Sequence, residues 1–331
     1  MMTLIGTGKN MILTVTINPL LEVCLTYDHL SVEAENRNGE LTYRAGGKGI
    51  NVSRQLKYLQ TKSFGFTFAG GANGKIFRST LEAEELSFSF IRTESETRIA
   101  SIIVDKSAKN VSTYFQENKT VTKSEADEFK SKLEKMIQNC EIVVFSGSSP
   151  STEADDIFPY GISLANKYDK ISVLDTYGTH LAGCINASPT ILHNNVDELE
   201  KSLHVKLNSE KEKLNFLDHL YQKGIKQAFI TNDGHPVYAS NFDYHFKILP
   251  PEVKAVHSTG SGDAFVAGIV FGWHNDFVFE ESCKLAAALG AGNAAKLDVC
   301  AVSIAEVSEL QKQVIFKPVG KKIKLLDDSP Q

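Results

Sequence analysis

The sequence predicts an α/β protein in which a mainly parallel sheet is covered by helices on both faces, with a small additional β-sheet. Three observations lead to this fold class. Strand-like runs alternate with helical segments over most of the 331 residues. Two glycine-rich turns feed directly into apolar helices. Two β-rich segments, at about 22–44 and 98–116, interrupt the alternation and are expected to form the small sheet. We therefore interpret residues 1–331 as a single domain.

The individual elements follow the order that such a sheet requires. Strands are predicted where β-branched and aromatic residues cluster, at 12–17, 64–68, 99–104, 111–115, 142–145, 171–174, 190–193 and 227–231. Helices are predicted at 50–56, 75–85, after a capping box at 122–125, and at 214–223, 264–273 and 279–296. We expect a loop at 70–74 and a solvated edge strand with a frayed tail at 317–324. Ligands of such sheets bind beyond the carboxyl ends of the strands, where the glycine-rich turns fall.

Composition and charge exclude several classes of function. A hydrophobic content of 42% with 23% charged residues is typical of a globular protein. The net charge of −5 argues against binding to nucleic acid or to a membrane surface through bulk electrostatics. The five cysteines form no C-x-x-C pair, which indicates reduced core residues. We find no apolar leader and no segment of membrane-spanning length, so we expect a cytoplasmic protein.

The first glycine-rich turn, at 257–268, combines two glycines with a carboxylate at a helix start. The backbone amides of Gly260, Ser261 and Gly262 would lie at the helix N-terminus, where unpaired N–H groups favour a phosphate or an oxyanion. Asp263 would be placed to take a proton from a hydroxyl that attacks the same phosphate. The alternative is an aspartate that caps a core helix after a glycine turn.

The second turn, at 45–52, lacks the spacing of a P-loop. Gly46 and Gly47 would let a ligand approach the backbone closely, and Lys48 supplies a charge suited to phosphate. Asn51, one helical turn later, can hydrogen-bond sugar hydroxyls. The alternative is an ordinary helix start with a solvated lysine.

The two turns together closely resemble the two signatures of the ribokinase-like (PfkB) carbohydrate kinases, and the resemblance extends from about residue 12 to 298. Shorter stretches are similar to the branch that contains 1-phosphofructokinase and tagatose-6-phosphate kinase. They lie at 16–19, 35–37, 96–98, 145–148, 174–176 and 195–198.

The resemblance implies a three-layer α/β/α sandwich with a mainly parallel central sheet and a small β-sheet lid. It also implies an ATP-dependent kinase that uses Mg²⁺, with a monovalent cation as a further option. A homodimer that forms through the lid is a further expectation. Small-molecule partners would be a sugar phosphate and ATP.

Residue roles carried over from the family fall into three groups. Asp263 would be the general base, with the amides of Gly260, Ser261 and Gly262 as the anion hole. The sugar phosphate would be bound by Glu22, Arg37, Gly46, Gly47, Lys48, Asn51 and Arg98. The nucleotide would be bound by Asn195, Thr231, Asp233, Gly234, Thr259 and Asn293, with Glu198 organising the metal.

Three positions depart from the family pattern. Glu22 stands where the branch usually has aspartate, so the sugar pocket is expected to be shifted. His193 replaces a lysine near the ATP phosphates, and Asp233 replaces a glycine beside the nucleotide. We expect weaker ATP binding or a different nucleotide preference from these two changes.

The leading hypothesis is phosphorylation of fructose 1-phosphate to fructose 1,6-bisphosphate. Alternatives are a tagatose-6-phosphate kinase, a kinase of an unphosphorylated sugar or nucleoside, and a weakly active member that senses a sugar phosphate.

Overall fold

The computed structural model describes residues 11–320, which form two β-sheets and their covering helices. The strands are β1 (Met11–Thr16), β2 (Leu20–Tyr27), β3 (Glu40–Gly46), β4 (Ser63–Gly70), β5 (Ser87–Thr93), β6 (Arg98–Asp105), β7 (Asn110–Phe115), β8 (Cys140–Ser146), β9 (Ile171–Asp175), β10 (Ile191–Asn195), β11 (Gln227–Thr231), β12 (Val237–Asn241), β13 (Tyr244–Leu249) and β14 (Ile315–Val319). The helices are α1 (Lys48–Tyr58), α2 (Gly71–Ala83), α3 (Lys123–Gln138), α4 (Ile157–Lys167), α5 (Leu181–Asn186), α6 (Val196–Leu203), α7 (Glu210–Gln222), α8 (Ser261–His274), α9 (Phe279–Ala294) and α10 (Ile304–Gln313).

The large sheet has ten strands in the order β14-β13-β12-β11-β10-β9-β8-β1-β4-β5. The strands from β11 to β5 run parallel, and β12 to β14 add an antiparallel edge. Alternate side chains of β8 enter different cores: Val143 and Phe145 pack on one face, while Ile142 and Val144 pack on the other. The predicted mainly parallel sheet with helices on both faces is confirmed.

The small sheet, which we call the lid, has the strand order β3-β2-β6-β7. It is built from the two β-rich segments that interrupt the alternation, and only its β2–β6 pair is parallel. Leu21 and Ala45 of the lid pack with Ile50, Phe77 and Leu81 in a separate small core against α1 and α2. The base of the lid is therefore fixed to the main body by buried apolar contacts.

Some local predictions are wrong. Residues 71–74 are not a loop, because α2 already begins at Gly71. Oε1 of Glu96 accepts hydrogen bonds from the amides of Ala72 and Asn73 at 3.0 and 3.2 Å, so a side chain distant in sequence satisfies this helix start. Strands β5, β12 and β13 were not predicted. The expected edge strand at 317–324 overlaps β14 at 317–319, and the rest lies outside the described residues.

Within residues 11–320, the five cysteines are free thiols and four of them are buried. None of the helices in this part of the chain combines the length and apolar character that crossing a bilayer requires.

Candidate active site

Several of the predicted site residues lie together at the carboxyl ends of the central parallel strands. Asp175 ends β9, Asn195 ends β10, and Asn18 follows β1 by two residues. The N-termini of α1, α6 and α8 lie at the same edge, so strand ends and helix starts converge there. This is the crevice in which doubly wound sheets bind their ligands.

The turn before α8 is held in a left-handed conformation by tertiary contacts. Gly260 caps α8 with a φ of 82°, a left-handed conformation that glycine adopts without steric cost. Nδ2 of Asn293 donates to the carbonyl of Thr259 at 2.9 Å and to Oγ of Ser261 at 3.1 Å. The amide of Cys300 donates to Oδ1 of Asn293 at 2.7 Å. Asn293 therefore braces the turn, and its place beside the nucleotide stays a prediction.

One of the three amides of the predicted anion hole is hydrogen-bonded within the turn. The amide of Ser261 donates to the carbonyl of Ser258 at 3.1 Å, because the turn closes on itself before the helix begins. That amide is consequently engaged, whereas Gly262 and Asp263 occupy the first helical turn, whose N–H groups have no intrahelical acceptor. The amides of Gly262 and Asp263 are therefore oriented to receive an anion at the helix start, and the anion hole itself stays a prediction.

Asp263 is a buried carboxylate with a single amide neighbour. Its side chain is 4% exposed, and Oδ2 accepts a hydrogen bond from Nδ2 of Asn51 at 2.7 Å. Burial raises the pKa of Asp263 to about 7, with Lys48 opposing the rise and Asp175 adding to it. A carboxyl group with a pKa near neutrality is well matched to general-base work.

Lys48 is shared between two carboxylates. Its Nζ lies 2.7 Å from Oε1 of Glu198 and 3.2 Å from Oδ1 of Asp175. Burial opposes the charge, but Asp175, Glu198 and Asp263 outweigh it and hold the pKa of Lys48 above its usual range. The predicted role of Lys48 in binding the sugar phosphate stays a prediction; here its ammonium group pairs with the carboxylates of Asp175 and Glu198.

His193 and Asp175 form a buried polar chain below the α8 turn. Nδ1 of His193 is 3.1 Å from Oδ1 of Asp175, and Nε2 is 3.3 Å from Oγ1 of Thr231. The His193 ring stacks on Phe265, with 5.3 Å between ring centroids. A β-carbon added to Gly262 would lie only 3.2 Å from Cε1 of His193, so the His193 ring packs directly against the turn. Lys48 and His193 hold the pKa of Asp175 well below its usual range despite burial.

Asn195 and Glu198 form a capping box at the start of α6. Oδ1 of Asn195 accepts from the Glu198 amide at 2.7 Å, and Oε2 of Glu198 accepts from the Asn195 amide at 3.1 Å. Beside them, Oδ1 of Asn194 is buried without a hydrogen-bond partner among the described residues. Asn195 and Glu198 therefore cap α6, and the lone pairs of their side-chain oxygens that are not used in the capping box can still bind a ligand.

One face of the lid carries the residues predicted to bind the sugar. Between β2 and β3, Glu22 lies opposite Arg44 and Leu20 lies opposite Gly46. Between β2 and β6, Leu20 lies opposite Arg98. Glu22, Arg44, Gly46 and Arg98 therefore share a face. Nε of Arg44 donates to Oε2 of Glu22 at 2.5 Å, and Oε1 of Glu22 lies against Gly46. Arg44 was missed by the sequence, although its alternation with Gly46 could have placed it on this face.

Arg98 is a half-buried guanidinium with few partners. Its Nη2 donates to the carbonyl of Asn18 at 3.3 Å, while Nε is buried and has no hydrogen-bond partner among residues 11–320. Burial lowers the pKa of Arg98, and Tyr177 only partly opposes this shift. Oγ of Ser148 and Oδ1 of Asn118 accept from Nδ2 of Asn18, which fixes the segment that Arg98 contacts.

Comparison with known proteins identifies the family. The family model for pfkB family carbohydrate kinases matches residues 20–304. The chain belongs to the PfkB family of carbohydrate kinases.

Curated relatives cover nearly the whole chain. A tagatose-6-phosphate kinase of Staphylococcus epidermidis is 28% identical over 307 residues, which are 92% of this chain and 98% of the relative. A 1-phosphofructokinase of Borreliella burgdorferi is 29% identical over 294 residues, which are 88% and 94% of the two chains.

Solved structures show the same fold. A Thermotoga maritima protein described as a possible 1-phosphofructokinase superposes with a TM-score of 0.85 at 22% identity, covering 94% of this chain and all of that chain. Escherichia coli phosphofructokinase-2 in complex with potassium gives a TM-score of 0.84 at 19% identity, covering 92% and 98%. This PfkB kinase therefore shares a fold with phosphofructokinases and uses the ATP-dependent sugar-kinase chemistry of its family.

The remaining predicted residues of the PfkB kinase lie at the margins of the site. Asp233 and Gly234 occupy an exposed turn after β11, and Gly234 has a φ of 69°. Oγ1 of Thr259 bonds Nε2 of His257 at 3.0 Å on the surface. Arg37 is on the exposed loop between β2 and β3, where it pairs with Glu35 and contacts none of the other predicted residues in the described range.

Proposed function

We propose that this enzyme transfers the γ-phosphoryl group of ATP to a hydroxyl of an already phosphorylated ketohexose. Fructose 1-phosphate, giving fructose 1,6-bisphosphate, is the leading substrate, and tagatose 6-phosphate is the second. The observation that carries the proposal is Arg98: a partly buried, under-bonded guanidinium on the sugar-facing side of the lid. A neutral hydroxyl would leave that charge unpaired, whereas a phosphate would pair with it through charge-assisted hydrogen bonds.

The transfer chemistry follows from the placement of three groups. Asp263 would take the proton of the attacking hydroxyl, since its raised pKa favours proton uptake near neutral pH. The free amides at the start of α8 and the ammonium group of Lys48 would neutralise charge on the equatorial oxygens of the transferring phosphoryl group. Positioning and charge neutralisation are the main requirements of this reaction.

Mg²⁺ fits the oxygen donors near the start of α6. The described residues contain no cluster of three or more His, Cys, Asp or Glu side chains arranged as a metal cage. Mg²⁺ bound with nucleotides needs only one or two carboxylates, because phosphates and waters complete its coordination. Glu198 would provide that carboxylate, with Asn195 and the unpaired oxygen of Asn194 beside it. The metal would neutralise phosphate charge; use of a monovalent cation stays a prediction.

The choice between the two sugar phosphates depends on the pocket around Glu22. Similar relatives are named for each substrate. Glu22 is held by Arg44 at 2.5 Å and faces Gly46, so its free oxygen is fixed for contact with a sugar hydroxyl. The longer side chain compared with aspartate is compatible with a shifted sugar ring.

We also propose that two copies associate through the lid. Leu41, Tyr43 and Tyr114 lie on the lid face opposite Glu22 and Arg98 by register, and their exposed fractions are 49%, 44% and 63%. Large apolar side chains grouped on one sheet face are typical of a protein interface.

The test is ADP release with Mg·ATP and fructose 1-phosphate, fructose 6-phosphate, tagatose 6-phosphate, fructose or ribose. Strong turnover on one phosphorylated ketose supports the proposal and names the substrate. Turnover on unphosphorylated sugars alone contradicts the role given to Arg98. Binding of fructose 1-phosphate without turnover on any sugar would favour the alternative of a sensing protein, and would direct attention to Glu22, His193 and Asp233.

A further inference from the structure

Arg54 of α1 is a buried arginine that links three parts of the site. It is 5% exposed, and its Nε and Nη2 donate to the Glu84 carboxylate at 2.5 and 3.0 Å. Nη2 also donates to the carbonyl of Ala45 at 2.7 Å, and Nη1 donates to Oδ1 of Asn51 at 2.6 Å. These bonds join Glu84 at the end of α2, Ala45 near the end of the lid strand β3, and Asn51, which contacts Asp263.

The chemistry of these groups fixes the orientation of the Asn51 amide. A guanidinium group can only donate hydrogen bonds, so the Asn51 atom that faces Arg54 must be the oxygen. The NH₂ group of Asn51 must then face Oδ2 of Asp263, at 2.7 Å. Without Arg54 the amide is free to rotate and to present its oxygen to the carboxylate.

We propose that Arg54 is a positioning residue for phosphoryl transfer, which acts by holding the Asn51 amide as a donor to Asp263 and by anchoring the glycine turn through Ala45. The proposal rests on the proposed role of Asp263 as the base. Arg54 does not contact the substrate; it acts through Asn51.

The protonation of Asp263 connects this geometry to a measurement. Burial raises the pKa of Asp263, and the Asn51 donor lowers it again. Lys48, Asp175, Glu198 and Cys300 also act electrostatically on Asp263, and none of these four side chains hydrogen-bonds to Arg54. Loss of the donor should therefore raise the pKa of the base while these groups stay in place.

The experiment compares Arg54→Lys and Glu84→Gln with wild type, with Glu85→Gln as the control. Glu85 is the neighbour of Glu84 but pairs with the surface residue Lys57. One lysine amine cannot serve Asn51, Ala45 and Glu84 at once. In Arg54→Lys, kcat for fructose 1-phosphate should fall about tenfold or more at pH 7. Part of the activity should return at higher pH, because the ascending limb of the kcat profile moves up by about half a unit or more.

Glu84→Gln retains the guanidinium and should show a smaller shift, and Glu85→Gln should show none. An equal loss at every pH, or an unchanged limb, would overturn the proposal because Arg54 would then be merely structural.

A stability cycle tests the same coupling without turnover, so it separates this proposal from the proposed function. The Arg54→Lys substitution is made in wild type and in the Asp263→Asn variant. At about pH 8 it should lower the melting temperature more in wild type than in Asp263→Asn. The two decreases should become equal near pH 5, where Asp263 is protonated. Equal falls in both backgrounds at pH 8 would overturn the proposal. An enzyme that is inactive on every sugar but shows this coupling would contradict only the proposed function.

Discussion

Replacing Asp263 with asparagine should make the enzyme more stable while it destroys activity. The pKa of Asp263 rises from 3.8 to about 7, which is roughly three units at about 1.4 kcal/mol each. The folded state binds this proton more tightly than the unfolded state does. Ionising the carboxyl above pH 7 therefore destabilises the wild-type fold by up to about 4 kcal/mol, and the penalty disappears as the pH falls towards 4.

The assay is thermal unfolding of wild type and Asp263→Asn from about pH 5 to 8.5, together with ADP release. The variant should melt about 5 °C higher at pH 8, with a difference that shrinks at acid pH, and kcat should fall by about 10²–10⁴. Asp127→Asn is the control. Hydrogen bonds from Lys123 and Lys130 lower the pKa of Asp127 on the surface, so its loss should be slightly destabilising and leave activity unchanged. A variant no more stable than wild type at pH 8 would refute the reasoning.

Three further results are expected. Arg98→Met should raise the KM for fructose 1-phosphate by about tenfold to a hundredfold with little change in the KM for ATP, measured by steady-state kinetics. Asp175→Asn should lower the melting temperature at neutral pH. A carboxylate whose pKa is depressed in the folded state stabilises the fold above its ordinary pKa, and this contribution is lost as the pH falls. An unchanged or higher melting temperature would contradict the pairing of Asp175 with Lys48 and His193. Tyr114→Glu should shift a lid-mediated dimer to monomer in analytical ultracentrifugation.

The fold was largely predictable because strand and helix patterns in the parallel region are strongly periodic. Strands such as β8 and β9 read as continuous apolar runs, as expected for strands that are buried on both faces. The hairpin of β12 and β13 is less regular, with polar residues such as His245 and Lys247 in its second strand, and was missed. The start of α2 was missed because its capping carboxylate, Glu96, lies 24 residues away from Ala72.

The chemistry-bearing residues of the site were also predictable, but their partners were not. Motif spacing identified Asp263 and Lys48, whereas the pairing of Lys48 with Glu198 joins residues 150 positions apart. No local pattern carries such a contact. Asn293 shows the same limit: its hydrogen bonds to Thr259 and Cys300, which brace the α8 turn, could not be predicted from the local sequence, and its nucleotide contact stays a prediction.

The proposed roles divide between the two sheets, and this division has an evolutionary consequence. The proposed base Asp263 and Lys48 lie on helices that pack on the large sheet, while Glu22, Arg44 and Arg98 lie on one face of the lid. A point mutation at an alternate lid position reshapes the acceptor pocket without moving the α8 turn. New sugar specificities can therefore arise by drift in one small sheet while the ancestral reaction is retained. Two relatives named for different sugar phosphates are 28% and 29% identical to this chain, which agrees with this expectation.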